Sequence, residues 1–376
     1  MNFTFAEEQE MLKKMARDFL TDKCPKAAVK QMQESEKGYS PELWQEMAGL
    51  GWMGLALPEK YGGTEMSFLD LTVLLEEMGR ACLPGPFIST VVLGALPILE
   101  SGTEEQKQKY LPGISAGKTI FTLALTEPSA NYNANGVTVK ATPDKDSYVI
   151  NGTKLFVPDA NVADFMLCVA RTDEKSVDEN GLTVFIVDAK SPGISHSVLK
   201  TIAHDKLCEV VFNGVKVSKD SVLGKPDQGW AVVQKIMQKA MVAKCAQSLG
   251  GLQQTLEMTV AYAKERVQGK IIGSFQVIQH YCATMATDVD GSRFSTYQAA
   301  WMLSQGLPCV TEVVIAKAFA NEAFGRVSTL AHQIHGAIGC TIDHDLQYYT
   351  RQGAAAALSY GSGDACREML SQEMGL

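Results

Sequence analysis

VTVKATPDKDSYVINGTKLFV, residues 137–157, is the stretch on which the reading of the fold turns. Val, Ile, Thr, Tyr and Phe crowd into short runs, and Asn, Asp, Gly and Pro separate them, which is the composition of strands joined by turns. Residues 137–140, 148–150 and 154–157 read as three strands. Asn151-Gly152 reads as a hairpin turn between two of them, because both residues tolerate the positive φ that a tight turn demands. The same texture runs from residue 121 to 223 and adds strands at 166–169 and 182–187.

On either side the period changes to that of helices. Upstream, Leu12, Met15 and Phe19 recur at helical spacing, and residues 69–78 repeat the pattern. Ser40-Pro41-Glu42 joins an N-cap to a proline at the first helical position, and Thr103-Glu104-Glu105-Gln106 carries capping-box chemistry. Downstream of Gln228 there are few breakers until Gly269, and a second long stretch covers 275–305, with Trp230, Val233, Met237 and Ala240 on one apolar face. The expected architecture is α+β and multidomain: an N-terminal helical domain (1–120), a middle β-domain (121–225) and a C-terminal four-helix bundle (226–376).

Composition narrows the function classes. A chain of 376 residues that is 46% hydrophobic exceeds what one core normally serves. The net charge of -8 argues against nucleic acid or an anionic membrane as partner, since both require clustered Lys and Arg. Acids and lysines are mixed through residues 1–19, unlike an export signal, and no apolar run is long enough to insert in a membrane. Nine cysteines scattered singly fit reduced thiols and a cytoplasmic protein.

Two motif-like segments are set aside. Gly113-Ile114-Ser115-Ala116-Gly117-Lys118-Thr119 is one residue short of a phosphate loop and follows a polar helix. His332 and His335 share a helical face, but nothing completes a metal set, so a hydrogen-bonded structural pair is expected. No nucleophile elbow or HExxH motif supports hydrolysis.

Five separated segments together resemble the acyl-CoA dehydrogenase family: Gly51-Trp52-Met53-Gly54-Leu55 through Pro58-Glu59-Lys60-Tyr61-Gly62-Gly63, Leu125-Thr126-Glu127-Pro128, and residues 148–155, 262–276 and 333–341. They occur in the family's order over nearly the whole chain. The resemblance implies FAD, a homotetramer or a heterotetramer with a related subunit, an acyl-CoA substrate and electron-transfer flavoprotein as electron acceptor. It implies removal of the α-proton of a thioester by a base while the β-hydrogen leaves as hydride to flavin, giving an enoyl-CoA. By the same resemblance Leu123, Leu125 and Thr126 line the flavin, Phe156 and Pro158 flank its other side, and Arg266, Gln276, Gln333 and Gly336 contact FAD from a partner subunit.

The departures from the family are as informative. Pro158 takes the place of a Ser or Thr whose hydroxyl would bond flavin N5, and proline has neither hydroxyl nor N–H. Phe156 replaces a tryptophan, Ser129-Ala130-Asn131 replaces a Gly, Ser and Asp run, and the loop after Arg266 is one residue short. Gly361 stands where the family places its catalytic glutamate, and the alternative base position falls on Ala240, followed by Met241 where an arginine is usual. What survives at 361 is the backbone N–H, expected to polarise the thioester carbonyl. Asp364 is the nearest carboxylate in sequence, expected either as a relocated base or as a residue serving the following helix, and Cys366 is expected in the core because no neighbouring His or Lys lowers its pKa. The readings that follow are an atypical FAD-dependent dehydrogenase, a base-lacking subunit of a heteromeric one, a decarboxylating or desulfinating lyase on the same scaffold, or a flavin-free CoA-binding protein.

Overall fold

A computed structural model describes residues 5–173, 175–176 and 178–376; the first four residues of the N-terminal pattern lie outside them. Along the chain run α1 (Glu7–Lys23), α2 (Lys26–Glu34), α3 (Pro41–Gly49), α4 (Phe68–Ala81), α5 (Leu96–Ser101) and α6 (Glu104–Ser115). Strands follow: β1 (Phe121–Ala124), β2 (Lys140–Asp144), β3 (Ser147–Pro158), β4 (Phe165–Arg171), β5 (Leu182–Asp188), β6 (Ile194–Val198), β7 (Leu207–Ser218) and β8 (Val222–Leu223). The chain ends with α7 (Gly229–Glu265), the short β9 (Val267–Gln268) and β10 (Lys270–Ile271), then α8 (Gln276–Ser304), α9 (Val310–His335), α10 (Leu346–Ala356) and α11 (Gly363–Glu373). No described helix is long and apolar enough to cross a membrane.

The helix starts follow the capping chemistry. Ser40 Oγ accepts from Leu43 N with Pro41 at the first helical position, and Thr103 and Gln106 form a reciprocal capping box. The phosphate-loop look-alike is the end of α6: Lys118 N and Thr119 N both donate to Gly113 O, and Gly117 O accepts from Trp44 Nε1.

By contacts the described chain forms two compact units, each made from several segments. One comprises residues 31–66 and 84–240 and carries an eight-stranded sheet in the order β6-β7-β3-β2-β4-β5-β8, with β1 parallel to β4. Ile150, Val157, Met166, Cys168, Phe185, Val210 and Phe212 fill its core. The other comprises residues 1–30, 67–83 and 241–376, in which α4 packs with α1 and α8, and α9 packs with α8, α10 and α11.

The strand reading needs two corrections. Residues 137–139 precede the strand, which begins at Lys140. Asn151-Gly152 is no hairpin turn: β3 runs unbroken for 12 residues, and the register shifts from Ile150 opposite Val215 to Gly152 opposite Phe212, so that Asn151 faces a bulge whose extra residue lies on β7. Across the pair lies a second Asn-Gly, Asn213-Gly214, and Gly214 N donates to Asn151 Oδ1 at 2.7 Å. Gly152 does adopt a positive φ, 139°, but it does so opposite a bulge in the partner strand. The partner, β7, lies 49 residues beyond β3 in sequence, and only its presence distinguishes bulge from turn.

Candidate functional site

The residues expected to line the flavin come together where β1 and β3 end. Leu123 lies on β1 and is buried, as is Leu125 just beyond it; Thr126 is half-buried. Thr126 O accepts from Leu155 N at 2.8 Å, which sets Thr126 beside the residue preceding Phe156. Thr122 Oγ1 donates to Pro158 O, tying β1 to the end of β3. Leu123, Leu125, Thr126, Phe156 and Pro158 thus come together, though up to 35 positions separate them in the chain.

Phe156 is held in an unusual state. Its φ is 54°, in the left-handed region, and its side chain is 47% exposed while Val157 beside it is buried. A bulky residue in that conformation is costly, and such costs cluster at functional sites. The fit to FAD stops at Pro158, which supplies no donor.

Sequence reasoning missed what anchors this edge. Lys154 and Glu127 form an ion pair at 2.7 Å with side chains 0% and 2% exposed. Lys154 Nζ also donates to Leu125 O at 3.0 Å, and Glu127 accepts from Thr138 N, Thr138 Oγ1 and Val139 N. Burial pushes the Glu127 carboxyl upward, but Lys154 and these hydrogen bonds outweigh it and hold the group below the usual range. The pair locks the backbone on both sides of Thr126. Its sequence signal was a lysine two residues after the glycine of a misread turn.

In the other unit, Arg266, Gln276, Gln333 and Gly336 are all exposed. Arg266 leads into the hairpin of β9 and β10, closed by Ile272 N donating to Arg266 O at 2.8 Å, and Gln276 starts α8. Tyr262, one turn before Arg266, stacks on His335 with ring centroids 4.5 Å apart, bringing the end of α7 to the end of α9, where Gln333 and Gly336 stand. Val267, Ile271, Phe275 and Val277 expose apolar surface around this set. The two histidines do not bond each other: His332 Nε2 meets Thr350 Oγ1 at 2.8 Å, and His335 Nδ1 meets Ala331 O at 2.9 Å. No group of metal-ligating side chains forms among the described residues.

Gly361 lies in the turn between α10 and α11. Its φ is 129° and that of Tyr360 is 59°. A Cβ built at 361 would meet Cys366 Sγ at 3.4 Å and the Met241 Cε methyl at 3.5 Å, so a thiol and a methyl group face that direction. Ala240 and Met241 are themselves buried. Among the described residues the Gly361 N–H donates to no backbone carbonyl outside the regular elements, although the residue is buried. Ser362 Oγ caps α11 by accepting from Ala365 N, and Asp364 stands in the first turn, its side chain 97% exposed and paired with Arg367 at 2.9 Å. That placement suits the helix dipole. Cys366 is in the core as expected, but it does have a cationic neighbour: Lys317 acts to lower its pKa, and burial, the larger effect, raises it.

Comparison with known proteins bears on all these segments. Family models for the N-terminal, middle and C-terminal domains of acyl-CoA dehydrogenases match residues 6–118, 122–215 and 227–375. The probable acyl-CoA dehydrogenase YngJ of Bacillus subtilis is 31% identical over 100% of both chains. Among solved structures, the glutaryl-coenzyme A dehydrogenase glutaryl-CoA complex is similar with a TM-score of 0.94 at 29% identity, covering 100% of this chain and 97% of the other. The ChsE4-ChsE5 complex from Mycobacterium tuberculosis matches with a TM-score of 0.91 at 27% identity, over 100% and 99% of the two chains.

Proposed function

The chain belongs to the acyl-CoA dehydrogenase family of flavin-dependent oxidoreductases, and on that premise we propose that it takes part in FAD-dependent α,β-dehydrogenation of an acyl-CoA thioester to an enoyl-CoA, with glycine in place of the usual base. The observation that carries this reading is the Gly361 N–H, which among the described residues donates to no backbone carbonyl outside the regular elements and sits in a turn whose φ of 129° suits glycine. Buried donors are almost always paired, so an unpaired one marks a place for an acceptor from outside the chain. A thioester carbonyl supplies that acceptor, and the hydrogen bond strengthens as enolate charge develops on its oxygen.

FAD, when bound, supplies the acceptor for the hydride leaving the β-carbon. Leu123, Leu125 and Thr126 line its ring, Phe156 and Pro158 flank it, and Arg266, Gln276, Gln333 and Gly336 serve a partner subunit's FAD in this reading. Electrons leave to electron-transfer flavoprotein, and the exposed apolar residues around Arg266 and Gln276 support assembly into a homotetramer or a heterotetramer. A visible spectrum of the purified chain tests FAD binding. Anaerobic loss of oxidised-flavin absorbance on adding a panel of acyl-CoAs tests the reaction, and an unchanged spectrum with every thioester would overturn it.

A second reading makes this chain the base-lacking subunit of a heteromer. It is favoured by the surroundings of Gly361, where Cys366 and Met241 occupy the direction a side chain would take. The α-proton then goes to a carboxylate of a related subunit. Co-purification with a glutamate-bearing relative that is needed for turnover supports this; full turnover by this chain alone sinks it.

A further inference from the structure

A buried lysine stands behind the Gly361 turn. Lys317 lies on α9 and is 1% exposed. Its Nζ donates to Ala356 O and to Asn321 Oδ1, both at 2.7 Å. One helical turn on, Asn321 Nδ2 donates to Ala357 O and Gly361 O, both at 3.3 Å. Among the described residues no carboxylate pairs with the ammonium. The titratable groups that act on it are Cys245 and Lys244 on α7 and Cys366 on α11.

An unpaired buried ammonium is costly, and an apolar side chain of similar length would fill the same space without that cost. What the ammonium adds is direction. A side-chain amide can present either its oxygen or its nitrogen, whereas lysine is a donor only. Lys317 therefore turns Asn321 Oδ1 toward itself and leaves Nδ2 for the carbonyls of 357 and 361. It also adds a second donor to Ala356 O, which accepts from Ser359 N at 3.2 Å, and so places a positive charge at the negative end of α10.

We infer that Lys317 and Asn321 are positioning residues for the Gly361 turn: the ammonium orients the Asn321 amide, the amide holds the Gly361 carbonyl, and the turn so fixed aims the Gly361 N–H at the thioester oxygen. The inference rests on the carbonyl-holding role proposed above for that N–H. Neither side chain touches substrate. Both act through the backbone.

The test compares ligands that differ only in the carbonyl. Straight-chain acyl-CoA thioesters and S-alkyl-CoA thioethers of matched length are titrated calorimetrically into the full-length flavin-loaded protein, into Lys317→Met and into Asn321→Asp. Asn321→Asp is isosteric and keeps the acceptor for Lys317 while removing the donor to Gly361, so it serves where Lys317→Met folds poorly. The wild type is expected to prefer thioesters, and each variant to lose about tenfold of that preference with thioether affinity unchanged. Burial lowers Lys317 to about 8, so the wild-type preference should weaken as pH rises through that value, and the Lys317→Met profile should be flat. Equal losses for thioester and thioether, or an unchanged preference in both variants, would overturn the positioning role alone. A wild type that binds both ligands but shows no thioester preference would overturn the Gly361 reading itself and the relay with it.

Discussion

Two lysines sit almost wholly inside this protein, each holding backbone carbonyls at a functional segment, and they do so under opposite electrostatic conditions. Lys154 in the β-domain meets a carboxylate, Glu127, and the pair is closed by three further hydrogen bonds to Glu127. Lys317 in the helical unit meets, among the described residues, the neutral acceptors Ala356 O and Asn321 Oδ1. The paired lysine acts as a fixed post for the segment around Thr126. The one without a carboxylate is brought by burial to about 8, and its grip on the Gly361 turn depends on its proton.

The largest effect should come from breaking the pair. Lys154→Met leaves Glu127 buried without its cation and is expected to cost about 3–5 kcal/mol of stability in denaturant unfolding, while adding Glu127→Leu should restore much of it. A loss no greater than that of an exposed ion pair would show that the two sites are not so different. The folded Glu127 carboxyl is below its ordinary value, so its contribution is full above that ordinary value and is lost as pH falls through the folded one. Glu127→Gln should therefore flatten part of the acid limb of the stability profile.

Next comes the turn itself. Gly361→Ala should destabilise by about 1–3 kcal/mol through φ strain alone, because Cys366 Sγ and the Met241 methyl stand at ordinary contact distance from an added Cβ. Gly361→Glu carries the same strain. If acyl-CoA turnover nevertheless rises above the wild-type level, the missing carboxylate is the main lesion; if it does not, the divergence lies at Phe156 and Pro158.

Lys317 gives an effect of the opposite chemical origin. Its folded pKa is depressed from 10.5 to about 8, so the unfolded chain binds more protons between those values and stability rises with pH across that window. The melting temperature of the wild type relative to Lys317→Met should climb from about 8 upward and level off near the unfolded value. A constant difference would mean that the buried ammonium does not titrate there. The smallest expected effect is at Asp364, where Asn should leave both melting and turnover unchanged. A drop in turnover would return the base role to that carboxylate.

Much of this arrangement was legible from local chemistry. The capping residues Ser40 and Thr103 placed their helices, and strands at 166–169 and 182–187 fell inside β4 and β5. Local chemistry failed at Asn151-Gly152, which permits a positive φ in a turn and opposite a bulge alike, and the choice was made by β7, which the strand reading had not identified. It failed at the histidines as well: three-residue spacing put His332 and His335 on one face, but their partners are Thr350 and Ala331 O. Cys366 was judged by its chain neighbours, while Lys317 reaches it from α9.

By itself, then, the sequence determined the helix, strand, helix order and the family, because period, capping chemistry and residue identity are properties of neighbours along the chain. Only the tertiary structure decided that Gly361 occupies a conformation suited to glycine, that the Cys366 thiol and the Met241 methyl face it, and that a buried ammonium stands two hydrogen bonds behind its carbonyl. Those facts depend on which distant residues exclude water from one another, and desolvation is set by packing in three dimensions.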